Sequence, residues 1–520
     1  MTDFFSKVIE ETLSGKIKTK EQLQARKSVL SAKYKLPKIP TDADVLSRAG
    51  KKRNAVLVVL RKKPSRTLSG VSVVSVMTRP YPCPHGKCIY CPGGVDVSTP
   101  QSYTGHEPAA MRGIEFNFNA FEQTKNRIEQ LEFIGHPAEK IELIVMGGTL
   151  TAQPLAYQRS FVKECFDGMN GKKSRTLKEA QKINERSKHR CVGLTIETRP
   201  DWCKQKQISN ILSFGATRVE LGVQNPSDKV YNIVNRGHSV KDVVEATRLC
   251  KDSFLKVNYH MMPGLPGSSP REDVKMFKEI FDDQNFRPDM LKIYPCLLVK
   301  PEFGETELFK MWKKGDWFPY DDKKAAEVIA EAKRYFPRWV RVMRIQRDIP
   351  TKLILAGVKS SNLRQLVAEE LKLKKERCEC IRCREIRNQK PKDIVLNRID
   401  YEASGGHEVF LSFDDARSDK IIGFARLRIP GKPFRKEITK KTAGIRELHV
   451  YGQSLEIGQA PSFESQHRGY GRRLLEEAER IARDEFCMKK MLVTSGVGVR
   501  DYYRKMGYEN DGVYMGKPLK

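Results

Sequence analysis

Short runs of β-branched and aliphatic residues alternate with longer amphipathic stretches between about residue 70 and residue 345. The runs predict strands, and two of the stretches between them, 119–134 and 239–251, have the apolar spacing of helices. A chain that repeats strand and helix in this way predicts a parallel sheet or barrel. The predicted strands of this region are 71–76, 141–146, 193–196, 218–223, 256–260 and 290–294.

Glycine-rich and polar segments follow several of these predicted strands. In parallel barrels the chemistry takes place at the carboxyl ends of the strands, where the connecting loops converge. We therefore expect a functional site at that end of the sheet. The segments concerned are Gly147-Gly148-Thr149, Glu197 to Pro200, Gln224 and Met262 to Gly264.

The start of the chain is strongly basic. Its first 66 residues hold 17 lysines and arginines against six acidic residues, with dense points at Lys51-Lys52-Arg53 and Arg61-Lys62-Lys63. The spacing of Phe4, Val8 and Leu13 predicts a helix. A solvated helical face explains part of this charge, but its concentration at one end of the chain favours an arm that follows phosphates.

A second α/β unit is predicted after about residue 396. Strands at 408–413 and 421–428 precede a Gly-rich turn and a strong helix at about 470–486. The segment before this unit is charge-rich and bears cysteines, and we interpret it as a linker. The predicted divisions are a basic N-terminal region (1–66), a barrel domain (67–345), a linker (346–395) and a C-terminal α/β domain (396–520).

Length and charge narrow the class of partner. The 520 residues exceed what a single core serves, so two or three domains are expected. The 95 lysines and arginines against 64 acidic residues give a formal net charge of +31, which indicates a polyanionic partner, with RNA favoured. The alternatives are that the charge only keeps a large protein in solution, or that it binds an acidic membrane surface.

The sequence does not predict export or membrane insertion. No apolar run approaches the roughly 20 residues that span a bilayer, and the N-terminus lacks the basic start and apolar core of a signal peptide. We therefore expect a cytoplasmic protein. Its 12 cysteines are then better interpreted as reduced thiols, open to metals or clusters, than as a disulfide framework.

Three cysteines directly follow the first predicted strand, in Cys83-Pro84-His85-Gly86-Lys87-Cys88-Ile89-Tyr90-Cys91. Three thiolates on a [4Fe-4S] cluster leave one iron without a protein ligand. That iron can bind the amino and carboxylate groups of S-adenosylmethionine and deliver the electron that cleaves its sulfur–carbon bond. The alternative is a zinc knuckle, for which His85 would have to be the fourth ligand.

The cysteine loop resembles that of the radical S-adenosylmethionine superfamily, since Tyr90 precedes the third cysteine and Gly93-Gly94 follows it. It departs from the usual pattern in having four residues, not three, between the first two cysteines. The departure narrows the resemblance to one family, that of the catalytic subunit of Elongator, the tRNA carboxymethyluridine synthases. The chain resembles this family over nearly its whole length. The segments that carry this resemblance are Cys88 to Gly94, Pro100 to Gly105, Met146 to Thr149, Glu197 to Asp201, Asn235 to His238, Arg347 to Pro350 and Glu447 to Gly452.

A Gly-rich turn, Gln466-His467-Arg468-Gly469-Tyr470-Gly471, begins the predicted C-terminal helix. Glycines let the backbone approach a ligand closely, and the free N–H groups of a helix terminus attract a pyrophosphate. With strands predicted at 447–451 before it and 491–494 after it, and with Tyr502 to Tyr508 beyond, the unit resembles a GNAT acetyltransferase domain. That resemblance implies binding of acetyl-CoA.

The resemblances also imply roles for individual residues. Lys140, Tyr502 and Tyr503 are candidates for catalysis, since a phenol near the thioester can act as a general acid. For one of the two tyrosines, aromatic packing is the simpler explanation of its presence. From the sequence alone, Lys140 would be interpreted as a solvated surface charge. The positions expected to contact acetyl-CoA are Lys140, Glu447, Leu448, His449, Val450, Gln466, Gly469, Tyr470, Gly471, Arg472 and Tyr503. Those expected to bind S-adenosylmethionine are Gly147, Gly148 and Glu197.

A second group of cysteines, Cys378, Cys380 and Cys383, lies in the predicted linker. Three thiols within six residues suit a structural zinc ion that takes its fourth ligand from elsewhere in the chain, and Cys296 is the candidate. A second iron–sulfur cluster is the alternative. Zinc at this position would order the connection between the two catalytic units.

The family resemblance implies that the protein makes carboxymethyluridine at the wobble position of tRNA. A radical formed from S-adenosylmethionine takes hydrogen from the acetyl methyl group of acetyl-CoA, the carbon radical adds to carbon five of uridine, and thioester hydrolysis leaves the carboxymethyl group. The basic N-terminal region and linker would hold the anticodon stem loop. The sequence does not identify the electron donor, and it does not distinguish a homodimer from a complex with accessory subunits.

Two other classes of function are considered. One is a protein lysine acetyltransferase in which the barrel is only a scaffold, but a scaffold has no need of three clustered thiols. The other is a noncatalytic RNA-binding module, which would not need two cofactor sites. Acetyl-CoA turnover that depends on tRNA favours the tRNA enzyme, whereas acetyl transfer to peptides favours the lysine acetyltransferase.

Overall fold

The computed structural model describes residues 2–61, 69–301, 304–387, 389–452 and 469–520. The N-terminal region is a helical bundle made of α1 (Thr2–Leu13), α2 (Lys20–Lys33), α3 (Asp42–Ser47) and α4 (Arg53–Leu60). Thr19 and Thr41 cap α2 and α3 through reciprocal capping boxes. The apolar faces of the helices meet in a small core that includes Phe4, Val8, Leu23, Leu30, Val56 and Leu60.

The bundle replaces the arm that the charge pattern suggested. Apolar positions on each helix are buried against one another, so the segment folds as a unit instead of trailing along a partner. It is held to the neighbouring domain where the Arg53 guanidinium donates to the carbonyl oxygens of Glu132 and Phe133. Lys51 and Lys52 remain exposed to solvent.

The central domain is an open half-barrel of seven parallel strands, in the order β1-β2-β3-β4-β5-β6-β8. All six predicted strands are present. In chain order, the strands of residues 69–345 are β1 (Val71–Met77), β2 (Lys140–Met146), β3 (Arg190–Thr198), β4 (Arg218–Gln224), β5 (Lys256–Met261), β6 (Met290–Ile293), β7 (Leu298–Val299), which is not part of this sheet, and β8 (Arg341–Ile345).

Helices connect the strands and cover their outward-facing apolar residues, such as Val74, Leu143 and Leu194. Among the described residues, no helix is long and apolar enough to cross a bilayer. The helices of this domain are α5 (Pro108–Glu115), α6 (Ala120–Phe133), α7 (Leu155–Asn170), α8 (Leu177–Asn184), α9 (Gln205–Ser213), α10 (Asp228–Ile233), α11 (Val240–Asp252), α12 (Pro270–Asp282), α13 (Glu307–Lys314) and α14 (Asp322–Lys333).

The segment expected to be a linker is folded against the half-barrel. Strand β9 (Ile354–Ala356) pairs antiparallel with β7, and α15 (Leu363–Leu373) packs on α14. A short helix, α16 (Ile381–Arg384), follows Cys378 and Cys380 of the second cysteine group. Most charges of this segment are exposed or half-buried, although Arg384 and Glu385 are buried, and its apolar residues, including Leu363, Val367, Leu371 and Ile381, join the main core.

The C-terminal domain is a mixed seven-stranded sheet in the order β10-β11-β12-β13-β14-β16-β15. The predicted helix at 470–486 is shorter, because it changes to a π turn over 481–485. The elements are β10 (Ile394–Ala403), β11 (Gly406–Asp415), β12 (Lys420–Ile429), β13 (Thr442–Val450), α17 (Tyr470–Arg480), β14 (Lys490–Val493), α18 (Arg500–Arg504), β15 (Glu509–Asp511) and β16 (Tyr514–Pro518).

The C-terminal sheet packs closely on the amino-terminal ends of the half-barrel strands. A Cβ on Gly444 of β13 would lie 2.4 Å from the ring of Phe254, just before β5, and one on Gly496 would lie 2.2 Å from the backbone of Val192 in β3. The cysteine loop after β1 lies at the opposite, carboxyl end of the same strands. The half-barrel therefore stands between the cysteine loop and the C-terminal domain.

Candidate functional site

A cavity of about 660 Å³ opens at the carboxyl ends of the half-barrel strands. The loop after β1 carries Cys83, Cys88 and Cys91 to its wall. Gly148 after β2 and Glu197 at the end of β3 line the same cavity. The structure thus brings the three cysteines of the predicted cluster together with two of the residues expected to bind S-adenosylmethionine.

Hydrogen-bond donors surround the cysteine sulfurs. The side-chain amide of Gln101 and the backbone N–H of Ser102 donate to Cys91 Sγ over 3.2 and 3.1 Å. The Arg236 guanidinium, fully buried behind the loop, lies 3.6 Å from Cys88 Sγ. Donors and positive charge beside sulfur favour thiolate ligands, so the surroundings suit an iron–sulfur cluster.

Burial opposes ionisation of two of these thiols. It raises the pKa of Cys83 and of Cys91, against hydrogen bonds with Thr149 and Ser102 that act in the other direction. A buried thiol becomes a thiolate when iron supplies the compensating charge. The donor set therefore fits a metal cluster bound inside the cavity.

The spacing of the sulfurs separates this loop from a zinc site. In a tetrahedral zinc centre the Zn–S distance is about 2.3 Å, which places the sulfurs within about 4 Å of one another. Cys83, Cys88 and Cys91 do not all fall within 4.8 Å of each other in the described part of the chain. Nδ1 of His85 is engaged by Arg199 at 2.6 Å, and Nε2 lies 3.3 Å from Cys88 Sγ.

The residues expected to bind S-adenosylmethionine form a narrow cradle. Gly147 and Gly148 both have positive φ, and a Cβ on Gly147 would lie 2.1 Å from Thr78 Oγ1. The phenol of Tyr103 donates to Glu197 over 2.8 Å. A carboxylate at this place suits the ammonium group of an amino acid moiety, and the glycines keep the backbone open beside it.

Three polar side chains at the base of the cavity are not identified by the sequence. Glu220 of β4 contacts Lys292 of β6 and lies 2.7 Å from His260 Nε2 of β5. Lys292 also lies 3.6 Å from Glu197. A sequence signal was present, because Lys256, Asn258 and His260 alternate along β5 and so place polar side chains on the inner face of the barrel, where aliphatic residues are usual.

In the C-terminal domain, strands β13 and β14 separate after a short parallel ladder. Their pairing ends at Ile445 and Val493, although β13 continues to Val450. The opening lies beside the N-terminus of α17. Gly469 occupies the N-cap of α17 in the left-handed conformation, with φ +79°, and no side chain of the described residues caps the helix. The first N–H groups of α17 are thereby available to a phosphate.

Of the positions expected to contact acetyl-CoA, those in β13 point in two directions. Glu447 accepts a hydrogen bond from Arg426 over 2.9 Å and faces the half-barrel. Val450 lies on the other side, 3.6 Å from where a Cβ on Gly471 would stand. Leu448 shares that side by strand alternation. Gln466, also expected to contact acetyl-CoA, lies outside the described residues.

His449 lies on the half-barrel side with Glu447. Burial, reinforced by the nearby Arg341, lowers the pKa of His449 to about 4. Its Nε2 is buried without a hydrogen-bond partner among the described residues. A neutral imidazole with an unused ring nitrogen is suited to accept or donate a hydrogen bond to a ligand between the two domains.

The two tyrosines of α18 occupy different environments. Tyr503 is 7% exposed and packs edge-on against Tyr508, whereas Tyr502 is 37% exposed. The Tyr502 hydroxyl lies over the first turn of α17, 2.9 Å from where a Cβ on Gly471 would stand. Tyr470 and Arg472, which flank Gly471 in that turn, complete this group of expected contacts; Tyr470 is buried, and Arg472 pairs with Glu476.

Lys140 is the first residue of β2, at the end of the half-barrel that meets the C-terminal domain. Its register partner in β3 is Arg190, whose Cβ would lie 2.5 Å from a Cβ on Gly498. Burial and Arg190 lower the pKa of Lys140. The side chain expected to act with the acetyl-CoA unit is therefore next to that unit, and is not a fully solvated charge.

The second cysteine group is compact. The sulfurs of Cys378, Cys380 and Cys383 all lie within 4.8 Å of one another, the range for ligands of one ion. Cys296, expected as the fourth ligand, is not among them. It is buried in a separate apolar cluster with Met262, Leu298 and Trp317, because its position just after β6 turns it toward the carboxyl end of the barrel. The prediction for Cys296 is wrong.

The buried Lys333 lies beside this group instead. Its ammonium is 3.5 Å from Cys383 Sγ. Burial lowers the pKa of Lys333, but the three cysteines raise it further, so the side chain stays protonated. A fixed cation beside three thiols offsets the negative charge of thiolates bound to a divalent metal.

Fold and sites together define a radical S-adenosylmethionine enzyme joined to a GNAT acetyltransferase domain. Family models agree, with the radical SAM superfamily matching residues 80–280 and the acetyltransferase (GNAT) family matching 373–508. A radical SAM C-terminal domain matches 288–373, which includes α15, and an ELP3 N-terminal domain matches 1–68.

Curated relatives match over the whole chain. A protein named tRNA uridine(34) acetyltransferase from Methanocaldococcus infernus is 53% identical, over 100% of this chain and 99% of its own. Elongator complex protein 3 from Homo sapiens is 42% identical, over 100% of this chain and 96% of its own. The chain belongs to the Elongator complex protein 3 family.

A solved structure supports the same assignment. The archaeal Methanocaldococcus infernus Elp3 with an N-terminal deletion superposes with a TM-score of 0.76 at 51% identity. The match covers 86% of this chain and 99% of that one. The predictions of the family, of the radical SAM half-barrel and of the GNAT domain are confirmed.

Proposed function

We propose that the protein carboxymethylates carbon five of uridine 34 in tRNA, using acetyl-CoA and S-adenosylmethionine. The observation that carries this proposal is that one chain holds both sites: a three-cysteine loop on a large cavity, and a helix N-terminus beside an open strand that no side chain of the described residues caps. The names of the relatives supply the nucleotide that is acted on. The tRNA substrate also implies a cytoplasmic location.

The half-barrel residues would hold the radical chemistry. Cys83, Cys88 and Cys91 would bind a [4Fe-4S] cluster, with Gly147, Gly148 and Glu197 beside S-adenosylmethionine. When bound, these groups supply the hydrogen abstraction that activates the acetyl methyl for addition to uridine. The chain's own contribution would be to position these groups: Arg236 and Tyr103 line the same cavity, where Arg236 lies 3.6 Å from Cys88 Sγ and Tyr103 donates to Glu197.

The C-terminal domain would bind acetyl-CoA at the start of α17. The N–H groups of the first turn and the side chain of Arg472 would contact the pyrophosphate. Tyr502 is the better candidate for the functional tyrosine, because its hydroxyl stands over Gly471, whereas Tyr503 is packed in the core. Lys140 would contribute a cation from the half-barrel side of the same site.

The basic surface would bind the polyanion. The N-terminal bundle exposes Lys51 and Lys52 on one unit that is attached to the half-barrel through Arg53. A folded unit presents its charges at fixed positions, so we expect it to recognise the shape of the anticodon stem loop through phosphates more than through base sequence.

A structural zinc ion is proposed at Cys378, Cys380 and Cys383. Support comes from the mutual approach of the three sulfurs, which suits a single tetrahedral ion better than an iron–sulfur cluster. The fourth ligand is then not Cys296. Lys333 would balance the charge of this centre from inside the protein.

The test of the proposed function is anaerobic reconstitution of the cluster, followed by reaction with tRNA, acetyl-CoA, S-adenosylmethionine and a reductant. Nucleoside mass spectrometry should detect carboxymethyluridine with the wild type and a loss of at least 100-fold with Cys88→Ser. Cys487→Ser, which changes an exposed cysteine of the C-terminal domain, should retain the activity. Acetylated lysines together with unmodified tRNA would instead support the lysine acetyltransferase and contradict the proposal.

A further inference from the structure

His260 differs from the other histidine of the cavity in having a ring nitrogen available. Its Nε2 is 2.7 Å from Glu220, and its ring lies edge-on to Tyr294 with centroids 5.5 Å apart. Among the hydrogen bonds of the described residues, none involves Nδ1 of His260. His85 lines the same cavity, but Arg199 and Cys88 engage both of its nitrogens.

The groups around Glu220 keep it ionised. Burial by itself would raise the pKa of this carboxyl, but Lys292, the hydrogen bond to His260 and Arg218 together hold it well below its usual range. Arg218 Nε lies 3.3 Å from Glu220 Oε1, and Lys292 contacts the other oxygen. An ionised carboxylate accepts the proton of Nε2, which fixes the tautomer of His260 and leaves a lone pair on Nδ1.

The proposed function demands a hydrolytic step inside this cavity. The methyl carbon that reacts with the radical is joined to the thioester carbon by one bond of about 1.5 Å. A cavity that brings the methyl near the cysteine loop therefore also brings the thioester within it. Hydrolysis then needs a base that activates water without disturbing the radical chemistry above it.

We propose that His260, positioned by Glu220, is the general base that hydrolyses the uridine-linked thioester. This inference rests on the proposed function, and goes beyond it by assigning its last step to the floor of the half-barrel. An imidazole lies in the cavity wall with a carboxylate behind it, and its second ring nitrogen has no hydrogen-bond partner among the described residues.

The step is redox-neutral. The oxygen of a water molecule bonds to the thioester carbonyl carbon as His260 Nδ1 takes its proton. The carbon–sulfur bond of the tetrahedral adduct then breaks, and its electron pair leaves with sulfur. His260 returns the proton to sulfur, so the products are the thiol of coenzyme A and a carboxylic acid that ionises to the carboxymethyl group.

The same arrangement predicts that the two tasks of the cavity follow one another in time. The carboxylates of Glu197 and Glu220 and a ring nitrogen of His260 lie within 4.8 Å of one another, and the base is needed only after the carbon–carbon bond to uridine has formed. Replacement of His260 should therefore spare hydrogen abstraction. It should slow only the release of coenzyme A from the modified nucleotide.

The experiment is a single-turnover reaction of reconstituted His260→Gln with tRNA, acetyl-CoA, S-adenosylmethionine and reductant, quenched with hydroxylamine. Hydroxylamine converts an uncleaved thioester on uridine to a hydroxamate that mass spectrometry distinguishes from carboxymethyluridine. We expect 5′-deoxyadenosine within about twofold of wild type, accumulation of the hydroxamate, and carboxymethyluridine formed about 100-fold more slowly. His260→Asn should behave in the same way.

The matched control is His407→Gln, which changes a histidine that is also held by carboxylates, Asp400 and Glu402, but lies in β11. It should match wild type in all three products. Carboxymethyluridine formed by His260→Gln at the wild-type rate would overturn the assignment of His260, and so would a parallel loss of 5′-deoxyadenosine. A wild-type enzyme that releases 5′-deoxyadenosine but never modifies tRNA would instead overturn the proposed function, and with it this step.

Discussion

At the scale of single residues, Tyr502 and Tyr503 are neighbours in the chain but differ in burial, since Tyr502 is 37% exposed and Tyr503 is 7% exposed. Cys83, Cys88 and Cys91 were identified from their spacing, and the structure brings all three to one cavity. Two neighbouring tyrosines could not be told apart in the same way, because their burial depends on how α18 packs on α17. Cys296 was assigned to the wrong cluster for the same reason: a thiol that is distant in sequence can be placed only by the fold.

The difference between the two tyrosines gives a direct prediction. Tyr502→Phe removes the hydroxyl that stands over Gly471, and we expect carboxymethyluridine formation to fall by about 10-fold to 100-fold. Tyr503→Phe removes a hydroxyl from a packed ring and should change the rate less than threefold. Equal losses in both variants, measured at saturating acetyl-CoA, would contradict the assignment.

At the scale of elements, runs of apolar residues predicted the strands well because the outward faces of these strands are buried under helices. All six predicted half-barrel strands are present, and errors occur mainly at their ends, as in β3. The inner faces of these strands also carry polar residues, which runs of apolar residues do not predict. Glu220, His260 and Lys292 are buried or half-buried polar residues that meet only when β4, β5 and β6 are adjacent, so the polar alternation along β5 marks a polar inner face but does not show which side chains meet there.

Strands β12 and β13 dock on the half-barrel through buried charge, which the sequence could not predict either. Arg446 of β13 makes a bidentate contact with Asp289, the residue before β6, and Lys251 lies 3.3 Å from the same carboxylate. Arg428 of β12 pairs with Asp252 over 2.6 Å. These side chains are fully buried. Breaking such a pair leaves an uncompensated charge, which costs more than the pair itself contributes.

We therefore expect Asp289→Asn to destabilise the protein by about 3–5 kcal/mol, seen as a lower thermal unfolding midpoint. The amide keeps the shape but no longer balances Arg446 and Lys251. Asp282→Asn is the matched control, since Asp282 is exposed and its ion pair with Lys278 is long, at 3.9 Å. This variant should shift the midpoint by less than about one degree. Equal midpoints for the two variants would show that the buried network is not needed at the interface.

At the scale of the whole molecule, the half-barrel lies between two sites with different ligands. The cysteine loop is at the carboxyl ends of the strands, and the C-terminal domain is docked at their amino ends. Lys140, Lys256 and Arg341 belong to strands that run from one side to the other. In the proposed reaction, the acetyl group bound by the GNAT domain must react beside the cysteine loop, so the two sites must share one substrate.

In the proposed reaction, the acetyl methyl group is both the hydrogen donor to the adenosyl radical and the carbon that is added to uridine. Acetyl-CoA with a trideuterated methyl group, incubated with reconstituted enzyme and tRNA, follows both roles of this group at once. We expect 5′-deoxyadenosine that carries one deuterium and carboxymethyluridine that carries two. Unlabelled 5′-deoxyadenosine, or deuterated acetyl groups found only on lysine, would contradict the proposed reaction.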